Sequence, residues 1–337
     1  MKTTVFSTKP FERSYLTTAA GTAHELQFVE ENLGVETAAL AAGTDAVAIF
    51  STDDASTPVL EALHALGIRF LTIRATGHEQ VALARAQELG LRVANVPEYS
   101  PHAIAEHAVA LMLALNRRLR QADQQLRAHD FRLDELIGFD MHGKTVGIVG
   151  LGHIGGVVAG ILHGFGCRLL GYDPVPNPAL TTQFGVTYTT LDDLCAQADI
   201  ITLHAPMIPH APYLIDAARL ARMKRGVMLI NTSRGAELDT AAAIAALETG
   251  QLGYLGLDVY EGEKKLFFVD HRQNPPTDAL FARLLALPNV LVTGHQAFLT
   301  REALEHIAAT TRSNLDGWAA GQPVPTELRP PSNPPAA

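Results

Sequence analysis

Short apolar runs alternate with stretches of helical spacing along most of this chain. Before residue 100 the runs fall at 4–7, 26–29, 46–50, 70–73 and 92–95, with helical spacing over 58–66 and 80–89. Runs of this length bounded by polar residues read as strands. Strands that alternate with helices predict a parallel sheet covered by helices. Gly67 and Gly90 stand just past the two helical stretches, where a left-handed C-cap residue belongs.

Ser100-Pro101 marks a boundary, since serine suits an N-cap and proline the first helical position. A helix to about residue 119 follows, apolar on most faces and therefore predicted to be buried. Its most apolar part, 103–115, is interrupted by Glu106 and His107 and is too short to span a bilayer. Residues 120–144 are polar and fit either a solvated surface or a subunit arm. Strand-like runs resume at 146–149, 168–172, 199–203, 227–231, 254–257 and 290–293, and 304–315 reads as a helix. The segment from Gln322 holds six prolines and little that packs, so 323–337 is expected to be a disordered tail.

A length of 337 residues fits two domains at roughly 150 residues each. With 47% hydrophobic and 18% charged residues there is apolar material for two cores. The net charge of −9 argues against nucleic acid and anionic membranes as partners. Two cysteines, Cys167 and Cys195, make no disulfide framework, and no apolar signal region follows Met1. A cytoplasmic, reducing setting is expected. His102, Glu106 and His107 can share part of a helix face, but no metal-site motif is present, and no metal is expected.

The chemistry begins at Gly150-Leu151-Gly152-His153-Ile154-Gly155, directly behind the run 146–149. A G-x-G-x-x-G turn between a strand and a helix cradles a dinucleotide pyrophosphate, with the helix N-terminus aimed at the anion. The next strand ends at Asp173, about where an acidic residue takes the ribose hydroxyls. A carboxylate there favours NAD over NADP. Ligands of open α/β sheets bind beyond the carboxyl ends of the strands. Those ends supply Gly150, Asp173, His204, Thr232-Ser233-Arg234, Asp258 and His295. Arg234 presents a planar fork suited to a carboxylate. His295 can supply the proton that an alkoxide needs after hydride transfer to a ketone, and Glu263 is the candidate to orient its ring.

Several further segments carry a resemblance. Asn231-Thr232-Ser233-Arg234-Gly235, Gly256-Leu257-Asp258-Val259-Tyr260-Glu261 and Gly294-His295-Gln296-Ala297-Phe298 resemble the signatures of the D-specific 2-hydroxyacid dehydrogenases. Residues 95–102 and Asn116-Arg117-Arg118 resemble that family too. The loop 263–268 and the run 295–304 look most like its D-lactate dehydrogenase branch. The resemblance covers nearly all of the chain except the tail.

The resemblance implies an α/β protein of two doubly wound parallel-sheet domains. A flavodoxin-like substrate domain (1–100 plus 299–322) would carry an inserted Rossmann-like NAD-binding domain (101–298), with the active site in the cleft. It implies reversible hydride transfer between NADH and a small 2-keto acid, with pyruvate and D-lactate expected. Glyoxylate or bulkier 2-keto acids are the same-class alternative, and an NAD-sensing regulatory or scaffold protein is the alternative of another class. It assigns Arg234 to the substrate carboxylate and carbonyl, His295 to acid/base work and Glu263 to the histidine. Thr76, Gly77 and Tyr99 match substrate contacts. His153, Ile154, Asp173, Ala205, Pro206, Thr232 and Asp258 match cofactor contacts, alongside the glycines Gly150, Gly152 and Gly155, His204 and Ser233. Family members usually dimerise through the nucleotide domain, so a homodimer is expected. Two segments depart from the family pattern: His78-Glu79-Gln80-Val81-Ala82 near the substrate loop, and Met207-Ile208-Pro209-His210-Ala211.

Overall fold

A computed structural model describes residues 1–206 and 213–330. The chain forms two units, one from residues 1–100 with the segment from Leu299 onward, the other from Pro101–Phe298.

The first unit is built on five parallel strands, β1 (Lys2–Val5), β2 (Glu25–Phe28), β3 (Ala46–Ile49), β4 (Phe70–Ile73) and β5 (Arg92–Ala94). Their order is β2-β1-β3-β4-β5, the flavodoxin-like arrangement. Helices α1 (Pro10–Ala20), α2 (Thr57–Ala65) and α3 (Leu83–Glu88) cross between them. Period-two alternation along β3 divides the core. Val47 and Ile49 join the cluster that contains Val59, Leu60 and Leu63 of α2. The smaller Ala46 and Ala48 turn to the other face, where the C-terminal helix (Arg301–Ala319) contributes Ala308, Leu315 and Trp318. Gly67 and Gly90 take φ of 84° and 71° just past α2 and α3, which is how those helices stop.

Two features of this unit differ from the sequence reading. α1 was not anticipated, because only Leu16, Ala20 and Glu12 of it are buried and so thin an apolar stripe gives no clear period. The expectation of disorder for 323–337 is corrected for 323–330. Val324 is buried, Glu327 bridges antiparallel to Ala94, and the Leu328 N–H donates to the Val93 carbonyl at 2.8 Å. Proline is tolerated beside an edge strand, and its fixed φ lowers the entropy lost on docking. Residues 331–337 lie outside the described residues.

The second unit has seven parallel strands, β6 (Thr145–Val149), β7 (Arg168–Tyr172), β8 (Thr187–Tyr188), β9 (Ile200–Leu203), β10 (Val227–Asn231), β11 (Leu252–Leu257) and β12 (Val290–Val292). The order β12-β11-β10-β9-β6-β7-β8 is the doubly wound one, with its switch point between β6 and β9. One face is covered by α4 (Pro101–Asn116) and α6 (His153–Gly164), with α5 (Leu119–Arg127) following α4. α4 buries Leu111, Met112 and Leu115, as its apolar faces predict. α5 forms inside the polar stretch and buries none of its residues. Among the described residues no helix is long and apolar enough to cross a membrane.

Candidate active site

In the second unit the candidate residues gather along the carboxyl ends of the strands. β6 ends in the glycine turn, where Gly150 has φ +85° and its N–H donates to the Tyr172 carbonyl at 2.8 Å. A Cβ on Gly150 would stand 2.6 Å from the Ala205 nitrogen, and one on Gly155 2.0 Å from the Gly150 oxygen. Neither position admits another residue without moving backbone. A Cβ on Gly152 would meet nothing within 4 Å, so that side of the turn is open. His153 and Ile154 begin α6 there, and a helix N-terminus carries partial positive charge. These residues fit a bound pyrophosphate.

Asp173 lies just past β7. One carboxylate oxygen accepts the Leu151 N–H at 2.7 Å and the other accepts the Val175 N–H at 2.8 Å. The acid expected to face a ribose thus also braces the glycine turn.

His204 lies just past β9, its Nε2 against the Thr202 hydroxyl at 2.9 Å. Burial pushes its pKa down to about 3, so the ring is neutral near neutrality. Its Nδ1 and the Thr232 hydroxyl are buried without a hydrogen-bond partner among the described residues. Two orphaned polar atoms at the strand ends suit a ligand that brings its own donors and acceptors. Ser233 donates to the Ala205 carbonyl at 2.5 Å, joining the β9 and β10 ends. Pro206 is exposed beside Ala205. The segment from Met207 to Ala211 lies outside the described residues.

Asn231, fully buried, shapes the turn that carries Arg234. Its oxygen accepts the Ser233 N–H at 3.0 Å and its amide nitrogen donates to the Arg234 carbonyl at 2.9 Å. The Arg234 side chain is half-buried, and Nη1 donates to the Ser233 carbonyl at 3.0 Å.

His295 and Glu263 are brought together. His295 Nδ1 lies 2.9 Å from Glu263 Oε1, and Glu263 Oε2 accepts the Tyr260 N–H at 2.9 Å. The carboxylate is therefore fixed at both ends and the imidazole cannot swing freely. Nδ1 is assigned the proton from this contact, which leaves Nε2 to exchange one. His295 has φ +54°, and Phe268 lies against its ring with centroids 6.0 Å apart.

Asp258 has no exposed surface. Its carboxylate accepts from the Thr293 hydroxyl at 2.5 Å and from the Gln296 and Ala297 N–H groups at 2.8 Å each, with His107 Nε2 3.4 Å away. In this structure it holds the loop that carries His295. Burial pushes its pKa up, but the hydrogen bonds from His107, Thr293, Ala297 and Gln296 outweigh that and hold it below the usual carboxylate range.

In the first unit, Thr76 and Gly77 follow β4. The Thr76 hydroxyl donates to the Val96 carbonyl at 2.9 Å, and its own carbonyl accepts from Asn95 Nδ2 at 2.7 Å. The Tyr99 carbonyl faces His306 Nδ1 at 3.0 Å. Arg74 lies two residues before Thr76, almost wholly buried, and donates to the Ala48 and Phe6 carbonyls and to both oxygens of Glu12. Sequence reading missed this pair. The available signal was an arginine directly after an apolar strand, a place where a charge must find a partner.

Comparison with known proteins follows the same lines. Residues 109–297 match the family model described as D-isomer specific 2-hydroxyacid dehydrogenase, NAD binding domain. The chain is 46% identical over 329 residues to D-lactate dehydrogenase of Escherichia coli, covering 97% of this chain and 100% of that one. Among solved structures, the apo D-lactate dehydrogenase of Escherichia coli superposes with a TM-score of 0.89 at 45% identity, covering 97% and 100% of the two chains. The pyruvate reductase of Chlamydomonas reinhardtii superposes at 0.91 with 43% identity, covering 96% and 98%.

Proposed function

Because the chain belongs to the D-isomer specific 2-hydroxyacid dehydrogenase family, we propose that it reduces pyruvate to D-lactate with NADH and catalyses the reverse reaction. The observation that carries this reading is the His295–Glu263 contact at the strand edge that also presents Arg234 and the glycine turn. Bound NADH supplies the hydride. The Arg234 fork binds the substrate carboxylate and polarises the carbonyl, each charge-assisted bond contributing about 1.5–3 kcal/mol. His295 Nε2 hands a proton to the oxygen as negative charge develops there, and takes one in the reverse direction. Glu263 is a positioning residue that keeps Nδ1 occupied. Thr76 and Gly77 supply backbone N–H groups to the carboxylate, and Tyr99 lines the pocket. Gly150, Gly152, His153, Ile154 and Gly155 hold the pyrophosphate, Asp173 the ribose, and the 204–206 and 232–233 turns the nicotinamide half.

A small substrate is the preference, although the loop 78–82 sets its limits. Gln80 Nε2 reaches the Phe50 carbonyl at 3.4 Å and Val81 bridges to Ala55, so this loop is tied to the end of β3. The test is NADH oxidation with glyoxylate, pyruvate, 2-ketobutyrate and phenylpyruvate, repeated with NADPH. The reading expects the highest kcat/KM for pyruvate with NADH. No turnover with any 2-keto acid would favour a regulatory protein on the same fold instead.

The protein acts in the cytoplasm as a homodimer joined through the nucleotide unit, with neither nucleic acid nor membrane as partner. Supporting the dimer, Leu119, Leu126, Phe131, Leu133 and Ile137 are all more than half exposed along one stretch of that unit. So much apolar surface in one segment marks an interaction site. Sedimentation measures the oligomer directly, and Phe131→Asp with Ile137→Asp should give monomer.

A further inference from the structure

Asn95 directly follows β5 and is buried, and its Nδ2 donates to the Thr76 carbonyl at 2.7 Å. That carbonyl and the Gly77 N–H belong to one peptide group, which is planar and trans, so the two point in opposite directions. Fixing the carbonyl therefore fixes the Gly77 N–H, which is turned away from Asn95. The Thr76 hydroxyl, donating to the Val96 carbonyl at 2.9 Å, holds the same residue from a second side.

The main chain of Asn95 is in turn held by the C-terminal part of the protein. Its carbonyl accepts from Asn314 Nδ2 at 3.3 Å, and its N–H donates to the Thr326 carbonyl at 3.3 Å. Asn314 lies on the C-terminal helix and is only 1% exposed. A buried amide needs partners at both of its ends. Nδ2 also reaches the Thr72 hydroxyl of β4 at 3.3 Å, and Oδ1 accepts from the Thr326 hydroxyl at 2.5 Å. The Thr326 hydroxyl thus decides which way round the amide sits. A flipped amide would set its oxygen against the Asn95 carbonyl.

The segment that carries Thr326 is pinned on both sides of it. Glu327 accepts from Trp318 Nε1 at 2.8 Å and from Arg92 Nε at 2.7 Å. Arg92 Nη2 donates to the Gln322 carbonyl at 2.7 Å, and Val324 packs in a cluster with Leu315 and Trp318. The chain Thr326–Asn314–Asn95 continues from this anchorage to Thr76.

We propose that residues 322–328 form a strap that sets the affinity for the substrate carboxylate, with Thr326 and Asn314 as positioning residues that act through Asn95 on the Thr76–Gly77 peptide. Neither touches the substrate. With the strap docked, the Gly77 N–H is held in one direction before the substrate arrives, so binding does not have to order it. Without the Thr326 hydroxyl the Asn314 amide turns more freely, its hold on the Asn95 carbonyl loosens, and the substrate must order the loop itself. The carboxylate is engaged alike in the ground and transition states, so the loss appears in KM and not in kcat. The inference rests on the reading of Thr76 and Gly77 as donors to that carboxylate.

The experiment compares wild type, Thr326→Val and Thr326→Ser in pyruvate reduction at saturating NADH. Oxamate affinity for the NADH-loaded enzyme and Tm are measured alongside. Valine keeps the shape of threonine and removes the hydroxyl. KM for pyruvate and Kd for oxamate should rise about three- to tenfold with valine, the scale of one neutral hydrogen bond. kcat and KM for NADH should hardly move. Serine keeps the hydroxyl and should hold both constants at the wild-type values. In an Asn314→Ala background the same valine should add nothing further, because the two residues act through one chain. A valine variant with lowered Tm and wild-type KM would reduce the strap to a structural brace and overturn the proposal. So would a fall in kcat at unchanged KM, a serine variant as impaired as valine, or a full further rise in the Asn314→Ala background. Gly77→Pro, which deletes the N–H in question, separates the two readings. If KM for pyruvate is unmoved by proline, the loop is not the carboxylate site. If KM rises with proline while Thr326→Val matches wild type, only the present inference fails.

Discussion

The carbonyl of Asp258 accepts the main-chain N–H of His295 at 2.8 Å, and the Asp258 carboxylate accepts the next two N–H groups, Gln296 and Ala297. One buried residue thereby fixes three consecutive amides of the loop that presents the histidine. This explains how His295 is kept at φ +54°, a backbone region that costs a β-carbon-bearing residue roughly 1–2 kcal/mol.

Asp258→Asn replaces an acceptor oxygen with a donor that faces N–H groups. Stability should fall by about 2–3 kcal/mol at pH 7, the scale of a lost charge-assisted hydrogen bond in a buried site. Because the folded pKa of Asp258 is depressed, its contribution is present above the unfolded value. It is lost as pH falls through the folded one. Thermal unfolding of both proteins from pH 7 down to pH 3 should show the Tm gap narrowing toward acid. A gap that widens would remove the carboxylate from this role.

Glu263→Gln keeps the size of the side chain and can still meet Nδ1, but it no longer favours a proton on that nitrogen. The expected loss in kcat is about 10²-fold, at the low end of what a positioned acid/base contributes. KM for NADH should hardly move. A large change in NADH binding with kcat intact would place Glu263 in the cofactor site instead.

Asp173→Asn tests a residue with two tasks. Its carboxylate braces Leu151 and Val175 and, in the proposed function, meets the ribose hydroxyls. Measured as kcat/KM, the preference for NADH over NADPH should narrow at least tenfold, because the charge that repels a 2′-phosphate is gone. An unchanged cofactor ratio would leave Asp173 with the brace alone.

Much of this was legible in the chain because one signal repeats: most strands of the second unit are short apolar runs, and a chemically informative residue follows within a few positions. Reading the ends of the runs at 146–149, 227–231 and 290–293 leads directly to Gly150, Arg234 and His295. What stayed hidden lacks that signal. α1 shows too few apolar positions to reveal its period, and the segment 323–330 is proline-rich yet docks on an edge strand. Glu12 and Arg74 are 62 residues apart, and no local pattern announces that they meet.

That pair makes a stability prediction. Glu12→Ala removes the carboxylate and leaves the Arg74 guanidinium in a dry site with the Ala48 and Phe6 carbonyls and the Phe50 ring, 5.7 Å from its centroid. Removing one partner of a buried ion pair costs about 3–5 kcal/mol. Denaturant unfolding should show that loss in the midpoint, and a loss below 1 kcal/mol would mean the pair is solvated in solution.

The central claim is that His295 moves the proton in a hydride-transfer reaction. Asparagine is the sharpest probe, since it tolerates the left-handed backbone at 295 and cannot titrate. Single-turnover reduction of pyruvate by NADH, with NADH affinity measured alongside, compares wild type with His295→Asn. The account predicts a rate lowered by about 10²–10⁴-fold with NADH bound nearly as tightly as before. An unchanged rate in a folded, NADH-binding variant would contradict it.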